Sequence, residues 1–283
     1  MGTRNDWNSP FINHREREII ELVKLFYSVQ FDYSTHRLNE KGEAGRVAAE
    51  GASMDKGSIV HVDYDLYNAG NDKLIETTRE ETAKEHDLVD ENRNYSPMIT
   101  IVGDGRLIPG FEAHLEDAES GKDYDFEIEP EQAYGDRDQN KIETISQNVL
   151  LRSVRDPNTL GIGAPVEIGG RNGILQFMSA GRARIDYNHP LAGVTLRYSY
   201  KIVKVVDDRE EKVQTLMKMN TGREDFEIEF EENDLTLTLP EEMAYDQNWS
   251  FTKFSLVTTL REHVGVGRVV FREVHEPRQI EEE

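Results

Sequence analysis

PMITIVGDGRLIPGFEAHLEDAESGKDYDFEIEPEQAYG, residues 97–135, holds one complete run of strand, turn, helix and strand. Met98, Thr100 and Val102 alternate with Ile99 and Ile101, so successive side chains face opposite ways, as they do in a strand. Gly103 and Gly105 then permit a tight turn, because glycine reaches backbone angles that other residues avoid. In LIPGFEAHLEDA, Ile108, Phe111 and Leu115 stand three and four apart, the spacing of one face of a short helix. ESGKD turns the chain, and YDFEIEPE sends Tyr124, Phe126 and Ile128 inward as a second strand. The pattern predicts an apolar bowl, built on a sheet and closed by a short helix.

These residues carry a family likeness. VGDGRLIPGFEAHLEDAESG followed by AYG resembles the core of the FKBP-type peptidyl-prolyl isomerases. The later DYNHPLAG resembles the closing segment of their SlyD-like and archaeal long-type branch. The likeness covers residues 57–206. It implies an α+β fold, with an FKBP-like antiparallel sheet wrapped on a short helix and a small β-rich insert-in-flap domain. A separate α/β-mixed C-terminal domain is expected beyond it. The expected boundaries are 1–55 for an N-terminal helical extension and linker, 56–137 and 193–207 for the isomerase domain, 138–192 for the insert, and 208–283 for the C-terminal domain.

The flanking chain fits around that run. GSIVHVDYDLYNAG (57–70) puts Ile59, His61, Asp63 and Asp65 on one face and Val60, Val62, Tyr64 and Leu66 on the other, a half-buried strand. KLIETT returns, and the charged residues 78–96 read as a solvated excursion over the edge of the bowl. VTLRYSYKIVKVV (194–206) completes the sheet, so the core is built from two separated pieces of chain. Within 138–192, APVEIGGRNGILQFM reads as a hairpin across GGRNG. Its apolar residues, Ile142, Ile145, Val149, Leu151, Val166, Ile168, Ile174, Phe177 and Met178, divide between a small core and a surface that so small a sheet cannot cover.

Beyond Val206, DREEKVQTLMKMN reads as a helix joining Val213, Leu216 and Met217. DFEIEF and LTLTL read as a hairpin about EEND. Ser250 is the expected cap of a helix bearing Phe254, Val257, Leu260 and Val264 and stopped at Gly265, and GRVVFREVHE is a final strand. Before the bowl, Asn13 caps a helix from His14 to Phe31, and residues 39–56 are a linker.

Composition narrows the class. The chain of 283 residues has 55 Asp and Glu against 33 Lys and Arg, net −22. That balance argues against a nucleic-acid partner, which needs clustered basic charge. No cysteine is present, so neither disulfides nor thiolate metal sites arise. No apolar run approaches a membrane span or a secretory signal, so a soluble cytoplasmic protein is expected. The eight histidines lack HxH or HExxH spacing, and the chain ends QIEEE, so no metal is expected. GDGRLIPG lacks the Lys-Ser/Thr ending of a phosphate loop, which leaves no cofactor and no ATP-driven chaperone. His189 reads as ordering a turn.

The resemblance implies the working parts, residue by residue. Phe111 is the aromatic floor of the pocket, where many relatives carry Trp, and Tyr64, Ile75, Met98, Leu107, Ile108 and Tyr198 are its walls. Tyr134 turns its hydroxyl into the pocket, and the Ile108 N–H meets a carbonyl of the bound peptide. Glu76 stands where the family usually carries Asp, one methylene longer. The implied partners are proline-containing unfolded or partly folded polypeptides, with dimerisation through residues 208–283. Three readings follow: an isomerase that also holds unfolded chains, a holdase whose pocket has lost useful activity, and a scaffold in which the N-terminal helix and C-terminal domain matter most.

Overall fold

The computed structural model of the chain describes residues 54–275 apart from 155, 156, 158 and 159. The helix expected over 14–31, and all but the last residues of the linker, lie outside the described residues. The described chain is α+β, with three sheets and a few helices. It divides into two compact units, one of residues 54–67, 76–127 and 197–275 and the other of residues 68–75 and 128–196. No helix among the described residues is long and apolar enough to cross a membrane.

The first sheet contains β1 (Ile59–Asn68), β2 (Lys73–Thr77), β3 (Met98–Ile101), β4 (Asp123–Ile128) and β9 (Leu196–Val206), in the order β2-β1-β9-β4 with β3 paired to β1. The short helix α1 (Glu80–Glu85) follows β2 and buries Ala83. In β1 and β3, Ile59 stands opposite Ile101 and Val62 opposite Met98. Along β9, Leu196, Tyr198, Tyr200 and Ile202 are buried at every second position, as a strand with one packed face requires.

Across this sheet runs α2 (Pro109–Glu116), which opens on proline, whose fixed φ suits a first helical turn. Phe111 and Leu115 are its buried residues, as their spacing predicts, while Ile108 is the residue before the helix. Glu112 ties the preceding loop to the helix. Its Oε1 accepts the Gly103 N–H at 2.6 Å and its Oε2 accepts the Leu107 N–H at 3.2 Å. Gly103 makes this possible at φ 75°, a conformation a Cβ would disfavour.

β1 is more buried than its alternation predicts. Ile59 is 0 % exposed and Asp65 6 %, although both lie on the face read as polar. Asp65 is covered because Thr77 Oγ1 donates to it and Arg79 pairs with it. Ile59 is covered by the end of the chain: Ile59 and Ile101 share one buried cluster with Val213, Leu216, Leu237 and Leu260. Those residues come from α4 (Arg209–Thr221), β11 (Asp234–Leu239) and α5 (Trp249–Val264). The C-terminal elements therefore pack into one core with the ends of β1 and β3.

Local signals set the limits of these elements. Asp208 caps α4, accepting the N–H groups of Glu210 and Glu211 at 3.0 and 2.9 Å, and Gly222 ends it at φ 71°. β10 (Glu227–Glu231) and β11 form the expected antiparallel hairpin, and β12 (Val269–Glu273) pairs parallel to β11. A parallel pair needs a crossover, and α5 supplies it. Ser250 does not cap α5: Asn248 precedes the helix, and Trp249 opens it, buried and edge-on to Phe271 at 5.2 Å. Trp249, Leu256, Thr259 and Leu260 form the buried stripe. Phe254, expected inside, is 82 % exposed beside Phe251 at 81 %.

The second unit holds a four-stranded antiparallel sheet in the order β5-β8-β7-β6, made of β5 (Ile142–Ser146), β6 (Pro165–Ile168), β7 (Arg171–Ser179) and β8 (Arg182–Asp186). Helix α3 (Gln147–Ser153) packs against β5, β6 and β8. The β6–β7 hairpin turns at Gly169 and Gly170, as GGRNG predicts. The β7–β8 turn runs through Ala180 and Gly181, both at positive φ, the conformation of the tightest hairpins. The core comprises Leu150, Val166, Leu175, Ala183 and Ile185. Leu150, not among the residues singled out from the sequence, is buried, while Val149 and Phe177, which are among them, are 48 % and 50 % exposed.

Candidate active site

The first unit gathers aromatic rings from three strands and one helix. Phe111 of α2 stacks on Tyr198 of β9, centroids 4.5 Å apart and planes 17° apart. Tyr64 of β1 meets Phe111 edge-on at 6.4 Å and lies 5.8 Å from Tyr198. Tyr200 closes a third side of Phe111 at 5.1 Å, and Phe126 of β4 lies 6.2 Å away. The period of two on the strands and the helix stripe both aim at this point, which is why residues so distant in sequence converge. Tyr64, Phe111 and Tyr198 are all buried. The Tyr64 backbone is held by Thr78, whose Oγ1 accepts its N–H at 2.9 Å.

Met98 of β3, and Leu107 and Ile108 ahead of α2, are half-buried. The Ile108 carbonyl accepts the N–H groups of Phe111 and Glu112, each at 3.0 Å. Its own N–H stands before the helix and meets no acceptor among the described residues. A helix start leaves such donors unsatisfied, and they carry the positive end of the helix dipole.

Glu76 accepts from Arg93 Nη2 at 2.9 Å through Oε1, while its Oε2 is buried without a partner among the described residues. Arg93 also lies over the Tyr95 ring at 5.5 Å. The Tyr95 hydroxyl in turn accepts the Asp90 N–H at 3.0 Å and donates to the Leu88 carbonyl at 3.2 Å. The charged stretch after β2 is thus packed at Ala83, Arg93 and Tyr95 rather than solvated throughout.

Sequence reasoning missed Arg93, because an arginine 17 residues beyond its carboxylate has no spacing signature. It also missed His114 as a partner of the rings. His114 lies flat on Phe126 at 3.7 Å, and its Nδ1 shares a hydrogen bond with the Tyr200 hydroxyl at 2.8 Å. Burial lowers the His114 pKa and raises that of the Tyr200 hydroxyl, since both charged forms lose water.

Two of the residues singled out from the sequence, Ile75 and Tyr134, belong to the second unit. Ile75 is half-buried in β2. Tyr134 is half-buried and stacks on His189, centroids 4.0 Å and planes 6° apart. His189 orders a turn, its Nδ1 accepting the Leu191 N–H at 3.2 Å, and burial lowers its pKa to about 4. Nearby, the buried Asp186 carboxylate accepts from Gln176 at 2.7 Å, from the Asn188 side chain at 2.7 Å and from Arg137. Asn188 in turn bonds the backbone of Asp138 in both directions, each at 2.9 Å. The start and the end of the 138–192 segment are clasped together by this network.

The first unit thus holds a buried cluster of aromatic rings, one carboxylate engaged by a guanidinium and one backbone donor at a helix start. Such a set suits holding an apolar ring beside a carbonyl.

Two family models match the chain. That of the FKBP-type peptidyl-prolyl cis-trans isomerases covers residues 51–151, and one described as FKBP26_C-terminal covers residues 209–276. The short-type peptidyl-prolyl cis-trans isomerase of Methanocaldococcus jannaschii is 34 % identical over 149 residues, 53 % of this chain and 92 % of that relative. The probable FKBP-type 16 kDa peptidyl-prolyl cis-trans isomerase of Pseudomonas fluorescens is 31 % identical, over 42 % of this chain and 79 % of the relative. The FKBP-type peptidyl-prolyl cis-trans isomerase SlyD of Aeromonas hydrophila is 30 % identical, over 44 % and 58 %. A strand–turn–helix run that packs Phe111 on Tyr64 and Tyr198, with these relatives matched along most of their own length, makes this chain a member of the FKBP-type peptidyl-prolyl cis-trans isomerases, of the SlyD-like kind.

Proposed function

We propose that the chain accelerates cis–trans isomerisation of prolyl bonds in folding polypeptides, and that residues 138–192 act as an insert-in-flap domain that holds those polypeptides without ATP. Rotation about a peptide bond must break amide resonance, a barrier of about 18–20 kcal/mol. In the twisted amide the charge separation of the planar form is lost. A water-poor aromatic pocket therefore disfavours the planar ground state relative to the transition state. A fixed donor at the carbonyl removes the need to reorganise solvent during rotation.

The aromatic cluster about Phe111, beside the unengaged Ile108 N–H, is the observation that carries this reading. In it the proline ring rests against Phe111, with Tyr64, Met98, Leu107 and Tyr198 as walls, and the Ile108 N–H takes the substrate carbonyl. The cysteine-free, acidic composition fits work in the cytoplasm. Phe251 and Phe254, one turn apart and exposed on α5, support self-association of the C-terminal region into a homodimer.

A second reading, an ATP-independent holdase with little isomerase activity, is favoured by the Glu76–Arg93 pair, which occupies a carboxylate at the rim. Refolding of a protein limited by a trans-to-cis proline step separates the two. The isomerase reading expects catalysis at substoichiometric amounts that falls in Phe111→Leu, and a holding activity lost when residues 138–192 are removed. Suppressed aggregation with no gain in rate selects the holdase. Sizing chromatography of Phe251→Ser/Phe254→Ser tests the dimer.

A further inference from the structure

The sheet of the second unit has two unlike faces. Ala183, Ile185 and Leu175 are each 0 % exposed and form the core beneath α3. On the opposite face the register sets Thr144 beside Arg184 and Arg184 beside Phe177, with Ser146, Arg182 and Ser179 in the next row. The register shift between Leu175 and Phe177 turns the Phe177 ring outward, where it is half exposed, while Met178 packs toward the core. Thr144, Gln176, Phe177, Arg182 and Arg184 line one open groove.

Neither Arg182 nor Arg184 has a carboxylate partner among the described residues, whereas Arg171 and Arg137 of the same unit are paired with Glu143 and Asp186. Charge also sets this segment apart. Residues 138–192 contain six Lys and Arg against five Asp and Glu, net +1, in a chain whose total is −22. The groove is thus a cationic, partly apolar strip on an acidic protein.

We propose that this groove selects the clients of the insert, taking extended polypeptide that carries Asp or Glu next to an apolar side chain. The apolar group covers Phe177, and the carboxylates are received by Arg182 and Arg184, whose planar donors match them. Alternation along an extended strand brings such groups to one face. A polynucleotide fits less well, because it brings a dense run of negative charge toward a strongly acidic protein. The proposal rests on the reading of residues 138–192 as client-holding, and its test separates the two.

The experiment measures binding of the full-length protein to short, fluorescently labelled, proline-free peptides, which do not call on the isomerase bowl. The peptides share Leu and Phe and differ only in carrying Asp, Gln or Lys at the charged positions. At low salt the expected order is Asp, Gln, Lys, with the Asp peptide about threefold to tenfold tighter than the Lys peptide, the difference shrinking as salt rises. Arg182→Glu/Arg184→Glu reverses the order, and Phe177→Ser weakens all three peptides alike. Thermal melts verify that these exposed substitutions leave the fold intact. Equal binding of the three peptides, or an order unchanged by the arginine substitutions, overturns the charge selection and leaves client holding in place. Binding of none of them removes client holding and the proposal together. Tighter binding of a single-stranded oligonucleotide than of the Asp peptide overturns the proposal in favour of a polyanion.

Discussion

The His189 imidazole lies flat on the Tyr134 ring, centroids 4.0 Å apart. This contact steers Tyr134, and it works with a neutral imidazole whose Nδ1 already accepts the Leu191 N–H. Protonation would place a charge in a buried site and abolish that acceptor.

The pH consequence follows from linkage. Burial lowers the His189 pKa from 6.5 to about 4, so between those values the unfolded chain binds more protons than the folded one. The contribution is full above pH 6.5 and is lost as the pH falls through 4. Thermal melts of wild type and His189→Gln across that window test this. The wild type should lose more of its melting temperature on acidification, and parallel curves would remove His189 as the cause.

Phe111 is 2 % exposed and touched by rings on several sides, so truncation leaves a cavity. Phe111→Ala should lower stability by about 3–5 kcal/mol in urea unfolding. Phe111→Leu fills most of that space and should lose less. If the stacked ring is the floor of the pocket, Phe111→Leu, still folded, should lose roughly tenfold or more in proline-limited refolding rate, the equivalent of about 1.4 kcal/mol at the barrier. Unchanged catalysis in folded Phe111→Leu would move the floor elsewhere.

Asp186 joins Gln176, Asn188 and Arg137, and its side chain is 4 % exposed. Asp186→Ala strands those donors at an expected loss of about 2–3 kcal/mol, the Arg137 share being small because that side chain is half in water. Hydrogen exchange should show faster opening of β7 and β8, and wild-type protection there would refute the clasp.

Asp208 caps the helix whose Val213 and Leu216 share a core with Ile59 and Ile101. Asp208→Ala should cost about 1 kcal/mol. Because the core is common, β1 and α4 should lose exchange protection together. Opening of α4 well ahead of β1 would show that the two regions are not cooperative.

Local rules carried the reading a long way at Gly103, Phe111 and Leu115, where a turn, a helix stripe and a strand follow from spacing alone. They also marked Gly265 as a helix end, at positive φ. They failed at Phe254, grouped with Leu260 yet 82 % exposed: it stands six residues, about 240° of helix, from Leu260, off the stripe that buries Trp249, Leu256 and Leu260. They left open which apolar residues of the 138–192 segment lie inside, and of the adjacent Leu150 and Leu151 the helix buries Leu150.

By itself the amino-acid order determined the elements, the family and the candidate rings, since periodicity and turn chemistry act over a few neighbours. Which partner meets which was decided only by the tertiary structure: Arg93 on Glu76, His189 on Tyr134, and the C-terminal helices over Ile59. Those contacts join residues far apart in the chain, and their energy depends on burial and geometry that arise only once the sheets have formed.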